Sequence, residues 1–432
     1  MRRRRARAVA AVLAATALHV IGGATAAGAA PPAGACHNPD PAHNQVRAQP
    51  WAQQVLDPQR AWPHSRGAGV LVAVVDSGVD ADHPQLRRPG KVHRGRDFYL
   101  AGALPGAFDC VSHGTGVAGI IAADPVPGIG FHGVAPDAEI LPVRINERDV
   151  GGQGESLLID PQVVANGIRY AADQGAKVIN LSLAGHNDFP IIRAAVAYAV
   201  ARDALVVAAA GNAQRDTTTE RPVYPAAYEG VLGVGAVDID GARMPGSQIG
   251  RHVDLVAPGV KVLAATRVDG HTYVDGTSFA APFVAATAAL VRAAWPRLTA
   301  AEVARRLVAT ASPARGGRDS NAYGAGLVNP YRAVTDGLDP DRPAALPAYV
   351  PQPLDQAQLD RAAWEHGTAV TAKWLVTVVA GGIVLAGLVA AILPRGRRRR
   401  WRAGWAAAVP AEPTVVEPPE QIFLISEPKR DR

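Results

Sequence analysis

Short runs of consecutive apolar residues, each ending at a polar turn, restrict this chain more than any other feature of its sequence. Val70–Val75 is apolar throughout, and similar segments recur at Glu139–Arg144, Ala176–Leu181 and Ala204–Ala209. A strand that is apolar on both sides has to be covered on both sides, as strands are inside a parallel sheet. Parallel strands need long crossovers. The segments between them supply two, since Asp160–Gln174 and Pro190–Arg202 carry helical spacing. The pattern therefore predicts a doubly wound α/β body with helices on both faces of a mainly parallel sheet. A chain of 432 residues holds one such core of about 250–300 residues and still leaves extra segments at both ends.

Those ends have their own character. Five arginines within the first seven residues precede an apolar stretch from Ala8 to Ile21, and small residues such as Ala27-Gly28-Ala29 follow. That layout is a secretory signal peptide over residues 1–30, with a plain N-terminal anchor as the alternative. Near the other end, Trp374–Leu393 is 20 residues without a charge, followed at once by Arg395, Arg397, Arg398, Arg399, Arg400 and Arg402. This length suits one transmembrane helix. The arginine block places the C-terminus in the cytoplasm and the body outside. A buried core helix is the competing reading. The proline-bearing stretch 336–373 reads as a tether and 394–432 as a cytoplasmic tail.

The formal charge of +6 suggests nucleic acid only until its location is considered. The arginines of both ends account for more than the whole excess, which leaves the body mildly acidic and without a basic recognition face. No nucleic-acid partner is expected. Cys36 and Cys110 are the two cysteines of the chain. They form one disulfide if the compartment is oxidising, or are two unrelated thiols.

Three polar residues lie where chemistry is expected. Asp76 follows the first apolar run directly, at the end of a strand, where ligands of open α/β sheets bind. His113 lies in SHGTGVAGIIAA, where a loop turns into a helix of small residues. Ser278 lies in DGTSFAAPFVAATAALVRAAW, at the start of a helix apolar nearly all round, with Pro282 expected in its first turn. Taken singly, each has a plainer reading: a turn aspartate, a structural histidine, an N-capping serine. His83 and His132 lack such contexts and read as surface or loop residues.

Taken together, VAVVDSGVD, SHGTGVAGIIA and GTSFAAPFVAA resemble the three signature motifs of subtilisin-like serine proteases, in the Asp–His–Ser order of that lineage. The resemblance covers roughly Trp51 to Val334. It implies the subtilisin-like three-layer fold for residues 69–335 and an endopeptidase that needs no cofactor. Asp76, His113 and Ser278 would be its catalytic triad. Asn212, in AAAGN, would be the oxyanion-hole asparagine, with the Ser278 N–H as second donor. Ser182, Leu183, Ala184 and Gly185 would pair with an extended substrate, and Gly152 and Gly154 would lie on the opposite edge. With Ala209, Ala210 and Gly211, the Ser182–Gly185 segment would also wall the pocket for the residue before the cut. Ala184 stands where many relatives have glycine, so its methyl would favour small side chains there.

Two departures carry weight. The loop ADPVPGIGFHG holds Pro125 and Pro127 where calcium-binding relatives have an asparagine-rich loop, so no metal is expected there. The extension 31–68 is too short for a separately folded propeptide. It would instead wrap the body, pinned by Cys36–Cys110. Signal peptide, short cysteine-bearing extension, proline-rich tether and C-terminal anchor together are similar to the mycosins, proteases of actinobacterial type VII secretion systems. That likeness implies a protein or peptide substrate, membrane subunits of a secretion complex as partners, and an extracytoplasmic catalytic domain on a single-pass anchor. A scaffolding role within the complex, with proteolysis dispensable, is the alternative function.

Overall fold

The computed structural model describes residues 31–100, 104–147, 159–214, 220–315, 317 and 320–337, together with a discontinuous helical set within 376–400. The expected signal peptide, most of the tether, the tail beyond residue 400, and Gly152 and Gly154 lie outside the described residues. The chain divides into one unit ending at Pro351 and a second beginning at Gln352.

The first unit opens with helix α1 (Trp51–Leu56) and strands β1 (Leu71–Asp76) and β2 (Arg96–Asp97), then helix α2 (His113–Ala122) and strand β3 (Glu139–Arg144). Helix α3 (Pro161–Asp173), β4 (Val178–Leu181), α4 (Pro190–Ala201), β5 (Leu205–Ala209), β6 (Val231–Val237) and β7 (Leu255–Pro258) follow. A hairpin, β8 (Val262–Ala265) with β9 (His271–Val274), leads into α5 (Thr277–Ala294), α6 (Ala300–Thr310) and α7 (Pro330–Thr335). Strands β1 to β7 form one parallel sheet in the order β2-β3-β1-β4-β5-β6-β7.

The sheet alternates its side chains between two apolar layers, as a period of two requires. Val72 and Val74 of β1 enter a core shared with α2, α5, α6 and α7, whereas Ala73 and Val75 enter a second core under α3 and α4. Both crossover helices match their expected spans, and Asp160 caps α3 by accepting from the Gln162 N–H at 2.8 Å. Helix α5 is long and apolar enough to cross a membrane, yet 83% of it is buried, so it is the central helix of the core. Pro282 departs from expectation. The helix begins at Thr277, which puts the proline in its second turn rather than its first.

Register then gathers the strand ends. Val75 pairs with Leu181, and Leu181 with Ala208, so Asp76, Ser182 and Ala210–Asn212 emerge along one edge. The chain leaves β1 toward β3 on one side, while β4 opens the run toward β7 on the other. That reversal opens a crevice at the carboxyl ends of the strands.

The extension runs along this unit. The Asp40 N–H donates to the Cys110 carbonyl at 2.8 Å, and the His43 N–H to that of Asp269 at 3.0 Å. A disulfide joins Cys36 to Cys110 across 74 residues. Replacing both cysteines by Ser is expected to cost about 4 kcal/mol, through the freed unfolded chain. Denaturant unfolding of the full chain in detergent, followed by tryptophan fluorescence, reads this. Superimposable curves for the two chains would refute it.

In the second unit, Val379–Arg398 is a 20-residue helix long and apolar enough to span a bilayer.

Candidate active site

Asp76 is the last residue of β1 and is buried. Its Oδ1 accepts the Ser77 N–H at 2.7 Å and lies 2.6 Å from His113 Nδ1. The turn that follows is braced from beneath. Arg144 ends β3 with no exposed surface and donates from Nε to the Ser77 carbonyl at 3.1 Å. Its charge is balanced by Asp97 at 2.9 Å and Glu147 at 3.0 Å, as a buried guanidinium requires.

His113 begins α2 because Ser112 adopts left-handed backbone, φ 65°, and turns the chain into the helix. Gly114 lets this turn sit against the loop that follows β1. A methyl there would come within 2.0 Å of the Gly78 carbonyl. Asp109 ties the loop together, accepting from Ser77 Oγ at 3.0 Å, the Val111 and Thr115 N–H groups at 3.0 and 2.9 Å, and Thr115 Oγ1 at 2.7 Å. Burial pushes its carboxyl up to about 6, and the nearby Asp76 adds to this, while those hydrogen bonds oppose it. The Phe279 ring packs on the imidazole of His113 with centroids 5.0 Å apart.

Ser278 is the second residue of α5, after Gly276 at φ 143°, and its Oγ donates to the Ser182 carbonyl at 3.2 Å. Asn212 follows β5 across the same crevice. Its Oδ1 accepts both donors of Thr277, the N–H and Oγ1, each at 2.9 Å. The Gly211 N–H donates in turn to Thr277 Oγ1 at 3.1 Å. With Oδ1 so engaged, Nδ2 is left facing Gly276, where a Cβ would stand 3.3 Å away. An aspartate–imidazole pair, a serine at the N-terminus of a buried helix and an oriented amide donor thus converge at the strand ends, as acyl-transfer chemistry requires.

The family model for the subtilase family matches residues 67–326. The chain belongs to the subtilase family. It is 36% identical over 410 residues to mycosin-3 of Mycobacterium tuberculosis, spanning 81% of this chain and 84% of that one. A thermophilic serine proteinase of Bacillus sp. strain AK1 is 41% identical over 276 residues, 64% of each chain. A chain in the solved structure of an intact ESX-5 inner membrane complex is 30% identical, with TM-score 0.60, covering 79% of this chain and 94% of its own. This subtilase is therefore a serine endopeptidase of the mycosin kind.

In the subtilase body the Ser182–Gly185 segment is not uniformly open. Gly185 exchanges both of its backbone hydrogen bonds with Tyr224, at 2.9 and 2.8 Å, so it braces the edge rather than offering it. Ala184 has no backbone hydrogen bond among the described residues, and a methyl on Gly211 would lie 3.5 Å from its Cβ. Ala209 and Ala210 are buried behind them. His83 and His132 are loop residues, but not surface ones. Loops fold over both, and desolvation lowers their pKa values. His83 Nδ1 accepts from the Gln85 N–H, and His132 lies edge-on to Trp62. In the proline-bearing loop, Asp124 is paired with Lys91 at 2.7 Å and Arg88 at 3.2 Å.

Sequence reasoning passed over Ser77, Asp109, Arg144 and Thr277. Ser77 and Thr277 adjoin Asp76 and Ser278 in the motifs, which was the available signal. For Asp109 and Arg144 there was none beyond proximity to Cys110 and the end of a strand.

Proposed function

We propose that this subtilase is a membrane-anchored, extracytoplasmic endopeptidase that processes exported proteins beside a type VII secretion complex, with Asp76, His113 and Ser278 as its triad. The observation that carries the chemistry is the 2.6 Å contact between Asp76 Oδ1 and His113 Nδ1 at the carboxyl end of β1, with Phe279, the chain neighbour of Ser278, packed on the imidazole. Ser278 Oγ attacks the scissile carbonyl as His113 takes its proton, giving a tetrahedral oxyanion. His113 then returns that proton to the leaving amine, and water releases the acyl group by the same steps in reverse. Asp76 holds the imidazole in the required tautomer and stabilises its cationic form. The N–H of Ser278 and Nδ2 of Asn212 bind the oxyanion.

Ala184, Gly211 and the residues behind them favour a small side chain before the cut. The apolar helix ending in an arginine block supports a single-pass anchor with its C-terminus inside. Kinship with a chain of the ESX-5 inner membrane complex supports secretion-complex subunits as partners.

The test is hydrolysis of alanyl peptide substrates by the detergent-solubilised chain, beside Asn212→Leu. Leucine keeps the volume and removes the amide donor. The variant is expected to lose about 10²–10³-fold in kcat with KM little changed. A wild-type chain without hydrolytic activity, or an Asn212→Leu variant at full kcat, would reject the assignment.

A further inference from the structure

Pro282 lies four residues after Ser278 within α5. An ordinary residue there would donate its N–H to the Ser278 carbonyl, because helical hydrogen bonds run from i to i−4. Proline has no N–H. The carbonyl is nevertheless satisfied from outside the helix, by Ser182 Oγ at 2.6 Å, just beyond the end of β4. Ser182 Oγ in turn accepts from Asn180 Nδ2 at 2.9 Å, and Asn180 is fully buried. A hydroxyl has one proton and an amide nitrogen only donates. The Ser182 proton is therefore directed at the Ser278 carbonyl. The reverse contact closes the pair, since Ser278 Oγ donates to the Ser182 carbonyl at 3.2 Å.

We propose that Asn180 and Ser182 form a positioning relay that replaces, at the Ser278 carbonyl, the helical N–H that Pro282 lacks, and so holds the first turn of α5 in the shape that sets the attack position of Ser278. This rests on Ser278 being the nucleophile. Ser182 then has two separate functions. Its backbone lies on the substrate-pairing edge, while its side chain sets the geometry of the reacting hydroxyl. The Ser278 N–H belongs to the same turn, so the relay also fixes one oxyanion donor. A shift well under 1 Å at either group is enough to slow attack severely.

The test uses the full chain in detergent, with alanyl peptide hydrolysis and the rate of labelling by a small fluorophosphonate that does not reach the pairing edge. Ser182→Ala is expected to lower kcat and the labelling rate together, by about 10- to 100-fold, with KM little changed. Ser182→Thr, which keeps the hydroxyl, is expected to recover most of the loss. The decisive variant is Ser182→Ala combined with Pro282→Ala. Alanine at 282 returns a helical N–H to the Ser278 carbonyl and is expected to restore most of the lost kcat.

A double variant as slow as Ser182→Ala would overturn the relay, as would a Ser182→Ala loss confined to KM, which would place its effect in substrate pairing. If Ser182→Ala does not fold, Ser182→Cys supplies a weaker donor of similar size, and full kcat in that variant overturns the relay equally. Labelling that survives Ser278→Ala would instead remove the nucleophile assignment, and the relay with it. Labelling that depends on Ser278 but is indifferent to Ser182 would remove the relay alone.

Discussion

Replacing Ser278 by Ala is expected to abolish covalent labelling by fluorophosphonates and to lower kcat by about 10⁵- to 10⁶-fold, leaving only the residual catalysis of substrate binding and the oxyanion donors. The fold should survive. Ser278 is only partly buried at the crevice, and its hydroxyl gives one hydrogen bond to the Ser182 carbonyl at 3.2 Å. Loss of such a bond costs about 1 kcal/mol. The variant should therefore unfold close to the wild type while being inert. Labelling that persists would place the nucleophile elsewhere, and wild-type hydrolysis rates would reject the mechanism. Returned to a deletion strain, the same variant separates chemistry from architecture. Secretion that stays broken shows that the cut is needed, and secretion that recovers shows that the folded body suffices.

The body was readable in the sequence wherever local pattern and global fold impose the same constraint. β1 needed apolar residues on both faces and shows them without interruption. Two other strands of the sheet were harder to see. β6 reads VLGVGAV, with glycines that look like breaks. Gly233 is there because a Cβ would stand 1.8 Å from the His252 carbonyl, and that approach comes from a loop distant in the chain. β7 is four residues long and ends in Pro258. The β8–β9 hairpin lies outside the main sheet, and although β8 is buried throughout, each of its strands is only four residues long, and in β9 only the end residues are buried.

The same division runs through the site. Asp76, His113 and Ser278 stand inside motifs, so the sequence by itself singles them out as candidates. The groups that aim them act through contacts far apart in sequence. Asp109 reaches Ser77 across 32 residues, and Arg144 reaches the Ser77 carbonyl across 67. Thr277 orients Asn212 across 65 residues and by itself looks like an ordinary turn threonine. The burial of the loop histidines His83 and His132 follows the same rule, because a loop residue is buried or exposed according to what folds over it. Pro282 was misplaced by one turn for a local reason. The helix starts at Thr277, on a glycine with φ 143°, earlier than the apolar pattern alone implies.

Asp76→Asn is expected to cost between about 10² and 10⁴ in kcat, and the local hydrogen bonds set where in that range it falls. Two donors converge on a single oxygen, Asp76 Oδ1, which accepts from the Ser77 N–H at 2.7 Å and faces His113 Nδ1 at 2.6 Å. An asparagine can keep its own oxygen there, since turning its NH₂ inward would set two donors against each other at Ser77. The imidazole then retains its orientation and loses only the negative charge that stabilises its protonated form during attack. The charge term alone predicts the lower end of the range, and a reversed tautomer the upper end. Coupling to the brace tells the two apart. Ser77 Oγ accepts from the Gly114 N–H at 2.9 Å and donates to Asp109, so Ser77→Ala loosens the turn that presents its own N–H to Asp76. If that N–H holds the asparagine oxygen inward, adding Ser77→Ala to Asp76→Asn lowers kcat further, toward the upper limit. If the amide has already turned, the second substitution adds little. An Asp76→Asn variant within tenfold of wild type would show that this carboxylate does not take part in the chemistry.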